Sequence, residues 1–237
     1  MSLMSVFEHV ASLPITWVLA TLLAYRLALS VHAIMHHSPL LHPVAIATGL
    51  LVVALSALDV DYDTYFQGGQ YIHILLGPAT VALAVPLFHQ VSRLRRDWFS
   101  LLAGALLGSA VAVGVAMVVA HALGASNATV IAMAAKSVTM PIALSLTEIL
   151  GGVQSLTSAL VMLTGILGAA VTQAILRGMQ IQEGWITGYT LGVVAHGIGT
   201  ARAMQAGQEM GAFAGLAMGI AGLLTAILVP LCLQWML

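Results

Sequence analysis

The sequence predicts an all-α protein that crosses a membrane several times. Of its 237 residues, 60% are apolar and 6% are charged, and the mean hydropathy is +1.04. A soluble domain carries about 25% charged residues, because its surface faces water. Apolar runs of roughly 20 residues, the length of a helix that spans a bilayer, follow one another along the chain. These observations together indicate a multi-pass membrane fold built from helices.

The same observations exclude several classes of function. A cytosolic enzyme would need a polar surface, and a nucleic-acid-binding protein would need positive charge, whereas the net charge is −1. An outer-membrane β-barrel would alternate apolar and polar residues. No phosphate-binding or dinucleotide motif is present, and Cys232 is the single cysteine. We therefore expect no enzymatic activity, no ATP-driven pumping, no disulfide and no cofactor.

The chain has room for roughly eight membrane segments, since a span with its connection takes about 28 residues. The first apolar run is interpreted as a retained helix, because no basic segment precedes it and no cleavage site follows it. The predicted runs cover approximately residues 13–33, 43–58, 71–91, 98–123, 127–150, 153–176, 185–204 and 211–235.

Two of these runs carry helix breakers in their interior. Gly77-Pro78 interrupts the third run, and the stretch from Lys136 to Pro141 interrupts the fifth. The basic cluster Arg93-Leu94-Arg95-Arg96 places the end of the third run in the cytoplasm by the positive-inside rule. Arg177 shares that side only if the fifth run enters and leaves on one face. The fifth run is therefore either re-entrant or an unwound helix that spans, and the sequence leaves both open.

A weak internal repeat links the two interrupted segments. Residues 78–84 align without gaps on residues 137–143, an offset of 59. Paired interruptions in two halves of a chain are typical of transporters built from inverted repeats. We therefore predict a single transmembrane domain over residues 1–237, with repeat halves at about 40–97 and 98–156. Two unrelated proline kinks are the alternative.

The interrupted helices form the predicted binding site. A broken helix exposes backbone N–H groups within the membrane, and the N-terminus of its second half attracts anions. Lys136, the only lysine, would supply a counter-charge, since an ammonium in an apolar run normally faces a cavity or a partner. An ion pair with Glu148 or a snorkelling side chain is the alternative. We predict a pocket for a small anion between two facing half-helices.

His196 and Arg202 lie in the glycine-rich seventh run. An imidazole changes its charge near physiological pH, so His196 is a candidate proton carrier, with a buried neutral histidine as the alternative. Glu148 is a second candidate proton carrier. Arg202 either binds a carboxylate bidentately or only marks the end of the helix. The linker histidines His36, His37 and His42 have no carboxylate or cysteine nearby, so we predict no metal site.

Several motifs of this chain resemble those of the LrgB/CidB family. The resemblance covers nearly the whole chain in the right order. It is carried by Tyr65-Phe66-Gln67-Gly68-Gly69, by Leu76-Gly77-Pro78-Ala79-Thr80-Val81-Ala82-Leu83-Ala84-Val85-Pro86-Leu87, by Lys136-Ser137-Val138-Thr139-Met140-Pro141-Ile142-Ala143, by Gly151-Gly152 and by Ala195-His196-Gly197-Ile198-Gly199-Thr200-Ala201.

The resemblance implies two different functions. Bacterial members are named holin-like or antiholin-like proteins that modulate murein hydrolases and lysis beside a small LrgA/CidA-type membrane partner. The plastid relative carries glycolate and glycerate, and bacterial members are linked to small carboxylates such as pyruvate. The family's signature positions in this sequence are Gly77, Pro78, Thr80, Lys136, Ser137, Thr139, His196, Gly199 and Thr200.

We therefore predict a secondary transporter of small monocarboxylates in the bacterial inner membrane, driven by protons or by exchange. An LrgA/CidA-like protein and a second copy of the chain are the candidate partners, and no nucleic acid is expected to bind. The alternative is a holin-like or antiholin-like regulator of murein hydrolases. The predicted substrate-binding residues are Gly77, Pro78, Thr80, Lys136, Ser137, Thr139, Gly199, Thr200 and Arg202, and the predicted proton carriers are His196 and Glu148.

Overall fold

The computed structural model describes residues 9–35, 42–82 and 84–236, and helices account for most of them. No β-strand occurs in these three ranges, and the linker residues His36 and His37 lie outside them. From Pro14 onward the helices are α1 (Pro14–Ile34), α2 (Pro43–Ala57), α3 (Tyr62–Ile74), α4 (Leu76–Ala82), α5 (Ala84–Phe88), α6 (Val91–Ala122), α7 (Asn127–Ala134), α8 (Met140–Leu150), α9 (Gln154–Gly178), α10 (Gly184–Ala206) and α11 (Gln208–Met236). A 3-10 turn, Ala135–Ser137, follows α7.

Four helices, α1, α6, α9 and α11, are long and apolar enough to cross a membrane. Their outer faces carry large apolar side chains: on α6, Leu107 is 66% exposed and Val111 is 62% exposed. Such faces suit a lipid environment better than water. The prediction of a helical multi-pass membrane protein is therefore confirmed, with four candidate spans in the described part of the chain. The larger number of spans and the repeat halves stay predictions.

The packing divides the chain into two units, Met1–Ala82 and Leu83–Leu237. In the first unit, α1 contacts both α2 and α3. A Cβ added to Gly68 of α3 would lie 2.2 Å from the Pro14 carbonyl oxygen, so a larger residue could not approach α1 this closely. The Thr21 and Tyr65 hydroxyls, 3.1 Å apart, form a hydrogen bond between the same two helices.

Asp61 determines where α3 begins. Its carboxylate accepts a hydrogen bond from the Thr64 backbone N–H at 2.7 Å, and this satisfies one of the free N–H groups of the first turn. The bond also lowers the pKa of the Asp61 carboxyl from its ordinary value. The cap is therefore present at neutral pH and is lost as the pH falls through that lowered pKa.

The first predicted interruption corresponds to the end of α3. This helix ends at Ile74, and α4 begins at Leu76. The interruption is the single residue Leu75, whose backbone keeps right-handed helical angles of φ −68° and ψ −12°. Gly77 and Pro78 lie inside α4 and are exposed. The Thr80 side chain lies outside the described part of the structure.

In the second unit, the second predicted interruption is a helical hairpin. Val138 is extended, with φ −127° and ψ 177°, and it separates the 3-10 turn from α8. A Cβ added to Gly152, beyond the end of α8, would lie 2.7 Å from the Ile131 side chain of α7. Residues 21 positions apart in one straight helix would be separated by roughly 30 Å. The chain therefore folds back at Val138, and we name residues 127–150 the first hairpin.

The seventh predicted run is also folded back, which the sequence did not indicate. His196 lies inside α10 with φ 39° and ψ −123°, outside helical geometry. A Cβ added to Gly199 would lie 2.2 Å from the Leu191 carbonyl oxygen, whereas eight residues of straight helix extend about 12 Å. Residues 184–195 and 197–206 are thus two legs that meet at His196, and we name residues 184–206 the second hairpin.

The neighbouring helices establish how deep the second hairpin reaches. Added Cβ atoms on Gly188 and Gly192 would lie 2.1 Å from the Met210 carbonyl oxygen and 2.2 Å from the Ala214 carbonyl oxygen, so α11 runs parallel to the first leg. On α9, a Cβ at Gly165 would lie 2.9 Å from the His196 ring. Gly165 is near the middle of α9, so the tip of the hairpin lies at half the depth of that helix.

The close approach at Gly192 predicts an unusual response to alanine. Alanine normally stabilises a helix by about 1 kcal/mol relative to glycine, but a Cβ at Gly192 would overlap the backbone of α11. We expect Gly192→Ala to destabilise the protein by about 1–3 kcal/mol through overpacking. Thermal unfolding of the detergent-solubilised protein measures this. The matched control is Gly219→Ala, because a Cβ there meets no atom within 4 Å. Equal unfolding temperatures for the two variants would contradict the packing.

Candidate functional site

Lys136 lies in the 3-10 turn at the tip of the first hairpin. Its ammonium donates a hydrogen bond to the Ser137 hydroxyl at 3.1 Å. The side chain is half-buried, and Ala135 and Val138 on either side of this pair are fully buried. No carboxylate among the described residues forms an ion pair with Lys136. The alternative ion pair with Glu148 is therefore not formed, since Glu148 is exposed near the far end of α8.

The start of α8 adds free backbone donors beside Lys136. Thr139 is the N-cap residue, with φ −64° and ψ 148°, and its side chain makes no capping hydrogen bond. The first N–H groups of a helix have no partner within the helix, although Pro141 has no N–H to offer. An ammonium, the Ser137 hydroxyl and a helix N-terminus thus occupy one hairpin tip. Such a set favours a negatively charged ligand.

His196 lies at the tip of the second hairpin. It is 4% exposed, its ring packs against Gly165 of α9, and the backbone of Val161 lies close to the ring. Its Nε2 atom has no hydrogen-bond partner. α10 contacts the 3-10 turn of the first hairpin, which carries Lys136, and Lys136 is a charge near His196. The structure therefore brings Lys136, Ser137 and His196 into one region of the second unit.

Gly199 and Thr200 hold the second hairpin together. Gly199 lies against the Leu191 carbonyl oxygen, where a side chain would not fit. The Thr200 hydroxyl donates to the His196 carbonyl oxygen at 2.8 Å and lies 3.6 Å from the Met218 sulfur. These groups are already engaged in packing at the tip, so a role in binding a substrate stays a prediction for both residues.

Arg202 forms a hydrogen bond with α9 and not with the hairpin tips. Its guanidinium donates to the Gln173 side-chain oxygen at 2.8 Å, and the Arg177 guanidinium lies 3.5 Å from the same oxygen. Arg202 is six residues beyond His196 on the second leg. The structure thus places it away from Lys136, toward the base of the hairpin.

Three predicted binding residues, Gly77, Pro78 and Thr80, belong to the first unit, whereas Lys136, Ser137, Thr139 and His196 belong to the second. Their joint contribution to a pocket stays a prediction. Across the described ranges, no group of three histidine, cysteine or acidic side chains is arranged to hold a metal ion.

Ser109 was missed by the sequence analysis. It lies on the buried face of α6, which also presents Ala105 and Val113, and its hydroxyl has no hydrogen-bond partner. Ala105, Ser109 and Val113 are four residues apart, so they lie on one face of the helix. A single serine in such an otherwise apolar row is the signal that could have indicated it. No functional residue is predicted in the fourth apolar run, residues 98–123.

Comparison with known proteins identifies the family. The model of the LrgB-like family matches residues 21–235. This chain belongs to the LrgB family. The similar curated proteins include antiholin-like protein LrgB from Bacillus mycoides (strain KBAB4), from Bacillus cereus (strain B4264) and from Bacillus anthracis (strain CDC 684 / NRRL 3495). Each is 30% identical over 189 residues, which cover 80% of this chain and 82% of the relative. No solved structure matches the chain significantly.

The family assignment confirms the resemblance drawn from the motifs. The tips of both hairpins in this LrgB-family protein lie inside the matched range. The shared name of the relatives describes an antiholin-like protein and mentions no carboxylate. Of the two functions expected from the sequence, the names therefore favour the alternative over the transporter.

The backbone at His196 predicts an inverted order of stability for two substitutions. A residue with a Cβ is strained at φ 39°, ψ −123°, whereas glycine adopts positive φ readily. We expect His196→Gly to be more stable than His196→Ala by about 1–2 kcal/mol. Thermal unfolding of the two purified variants measures the difference. A continuous helix at this position would give the opposite order, because alanine is the better helix former.

Proposed function

We propose that this LrgB-family membrane protein carries small monocarboxylates across the bacterial inner membrane. The observation that carries this proposal is Lys136, a half-buried ammonium at a hairpin tip with no ion pair to a described carboxylate. Placing a lysine deep in a membrane costs at least about 2.5–3.5 kcal/mol, so such residues normally serve a function. A bound carboxylate would supply the missing counter-charge.

The surrounding groups suit one carboxylate. Its oxygens would accept hydrogen bonds from the Lys136 ammonium, the Ser137 hydroxyl and the free N–H groups at the start of α8. His196, on the opposing tip, is the group we assign to carry a coupling proton. Glu148 is exposed at the far end of α8, so it would act only at the entrance.

Access from both sides of the membrane would come from the two hairpins, which we propose are re-entrant from opposite faces. Arg93 at the start of α6 pairs with Glu209 at the start of α11, and its guanidinium lies 5.5 Å from the centre of the Trp185 ring at the start of α10. The second hairpin therefore opens at the end of the unit that carries Arg93, Arg95 and Arg96. This basic end is cytoplasmic by the positive-inside rule.

The re-entrant arrangement predicts the exposure of engineered cysteines. The chain has one native cysteine, so Cys232→Ala provides a cysteine-free background. We expect Leu123→Cys and Val153→Cys, which flank the first hairpin, to react with an impermeant thiol reagent from outside the cell. We expect Gln182→Cys and Gln208→Cys, which flank the second hairpin, to react only from the cytoplasm, like Arg95→Cys. Opposite exposure of two cysteines that flank one hairpin would contradict its re-entrant course.

The transport proposal predicts a specific loss on removal of the Lys136 charge. We expect proteoliposomes loaded with glycolate, glycerate, lactate or pyruvate to show saturable counterflow of labelled solute. Lys136→Met should reduce this counterflow at least about 10-fold, as expected when a charge-assisted bond is lost. Arg95→Met, which removes an exposed positive charge at the membrane surface, is the matched control and should retain the parent rate. Unchanged counterflow in Lys136→Met would refute the assignment of this charge.

Binding itself can be observed at Lys136. Because it is the only lysine in the chain, reductive methylation with ¹³C-formaldehyde labels one side-chain amine besides the N-terminus. We expect the ¹³C signal of that amine to shift when glycolate is added, and Lys136→Met identifies the signal by its absence. A signal that stays unchanged at saturating carboxylate would exclude direct contact.

A second candidate function is favoured by the names of the relatives, which describe antiholin-like proteins. In this function the chain restrains lysis by assembling with a small LrgA-type membrane partner. On names alone it has more support than transport. Co-expression with such a partner would then change murein hydrolase activity equally in the parent and in Lys136→Met. Carboxylate counterflow that is lost in Lys136→Met would instead favour the carrier.

A further inference from the structure

Two buried side-chain atoms in the described part of the chain have no hydrogen-bond partner, the Ser109 hydroxyl and Nε2 of His196. Each residue is 4% exposed. More than about 90% of buried polar groups in proteins are hydrogen-bonded, so each exception needs an explanation. A bound ligand explains two unpaired atoms most simply when both face the same place.

The packing places Ser109 at the depth of the hairpin tips. One turn further along α6, Val113 belongs to the buried cluster that contains Ala135 and Val138 from the first tip. The residue before Ser109 lies close to the second hairpin: a Cβ added to Gly108 would lie 2.9 Å from the side chain of Val193, which is three residues before His196. α6 also contacts the 3-10 turn that carries Lys136. Ser109 therefore lies in the layer where both tips meet.

We propose that Ser109 and His196 form the second half of the anion site, opposite Lys136. A serine hydroxyl donates one hydrogen bond, and the imidazolium that forms when His196 takes up the coupling proton donates from both ring nitrogens, Nε2 included. Both groups would donate to the oxygens of a small carboxylate held by Lys136 and Ser137. This assignment rests on the proposed function and adds a binding residue on α6, outside both hairpins.

The site then connects three elements that are separate in sequence. α6 supplies Ser109, the first hairpin supplies Lys136 and Ser137, and the second hairpin supplies His196. A carboxylate in this position would satisfy both unpaired atoms at once. Ligand binding should therefore raise the stability of the second unit, and the carboxylate should balance the positive charge of Lys136.

The experiment compares ligand-free stability with affinity in one variant. In Ser109→Ala the unpaired hydroxyl is removed, so the ligand-free protein should unfold at the parent temperature or higher. The concentration of sodium glycolate needed for half of the maximal thermal stabilisation should rise at least about 10-fold, because a hydrogen bond to a charged group is lost. Sodium chloride keeps the ionic strength constant across the titration.

The matched control is Ser158→Ala. The Ser158 hydroxyl lies on α9 and already donates to the Gln154 carbonyl oxygen at 3.0 Å. We expect this variant to bind glycolate as the parent does. Ser109→Cys keeps the size of the side chain with a weaker donor, and its half-maximal concentration should lie between those of the parent and Ser109→Ala.

The outcomes separate this inference from the proposed function. If glycolate stabilises the parent and Ser109→Ala at the same concentrations, Ser109 is not a ligand and the carrier proposal stands. A clear fall in the ligand-free unfolding temperature of Ser109→Ala would show that the hydroxyl is structural and would also overturn the inference. If no carboxylate stabilises the parent or shifts the labelled Lys136 signal, the proposed function fails, and with it the basis of this site.

Discussion

Close backbone packing at glycines is the constraint on which the second unit depends. Gly188 and Gly192 let α11 lie directly against the first leg of the second hairpin, and Gly199 lets the second leg return beside the first. In lipid, helices gain little from burying apolar surface against one another, so close van der Waals contact between small residues becomes the main source of association. The second hairpin forms because these close contacts replace the contacts that a straight helix would make with its neighbours.

Folding back at His196 has a direct chemical consequence. A helix that ends in the middle of an apolar unit leaves N–H and C=O groups without partners, and these must be satisfied by protein or by a polar cavity. The two tips of this LrgB-family protein meet the requirement together, with Lys136, Ser137 and His196 gathered beside mid-α9. Packing at the glycines thus brings the tip that carries His196 next to the tip that carries Lys136 and Ser137.

The two candidate functions differ in what they require of this layer. An antiholin-like component needs a partner surface, and its activity would not depend on an unpaired ammonium at a hairpin tip. A carrier needs a site that can bind and release an anion and can be reached alternately from each side. Lys136 and the re-entrant course that we propose for the two hairpins fit the second requirement, whereas the names of the relatives fit the first.

The sequence by itself determined the membrane class, the family, the break near Lys136 and the identity of most polar groups at the tips. The membrane class follows from composition and the family from motifs. The break follows from local rules, because Pro141 cannot continue a helix and a charged lysine in an apolar run is costly unless it faces a cavity or a partner. Only the tertiary structure decided that α10 doubles back, that Arg202 pairs with Gln173 instead of joining the tip, and that Ser109 is buried at the depth of His196. Glycine permits a close approach between helices but does not require one, and the sequence around a serine in a span does not indicate which helix its side chain contacts. Those outcomes depend on contacts between helices that are distant in sequence, and no local pattern contains them.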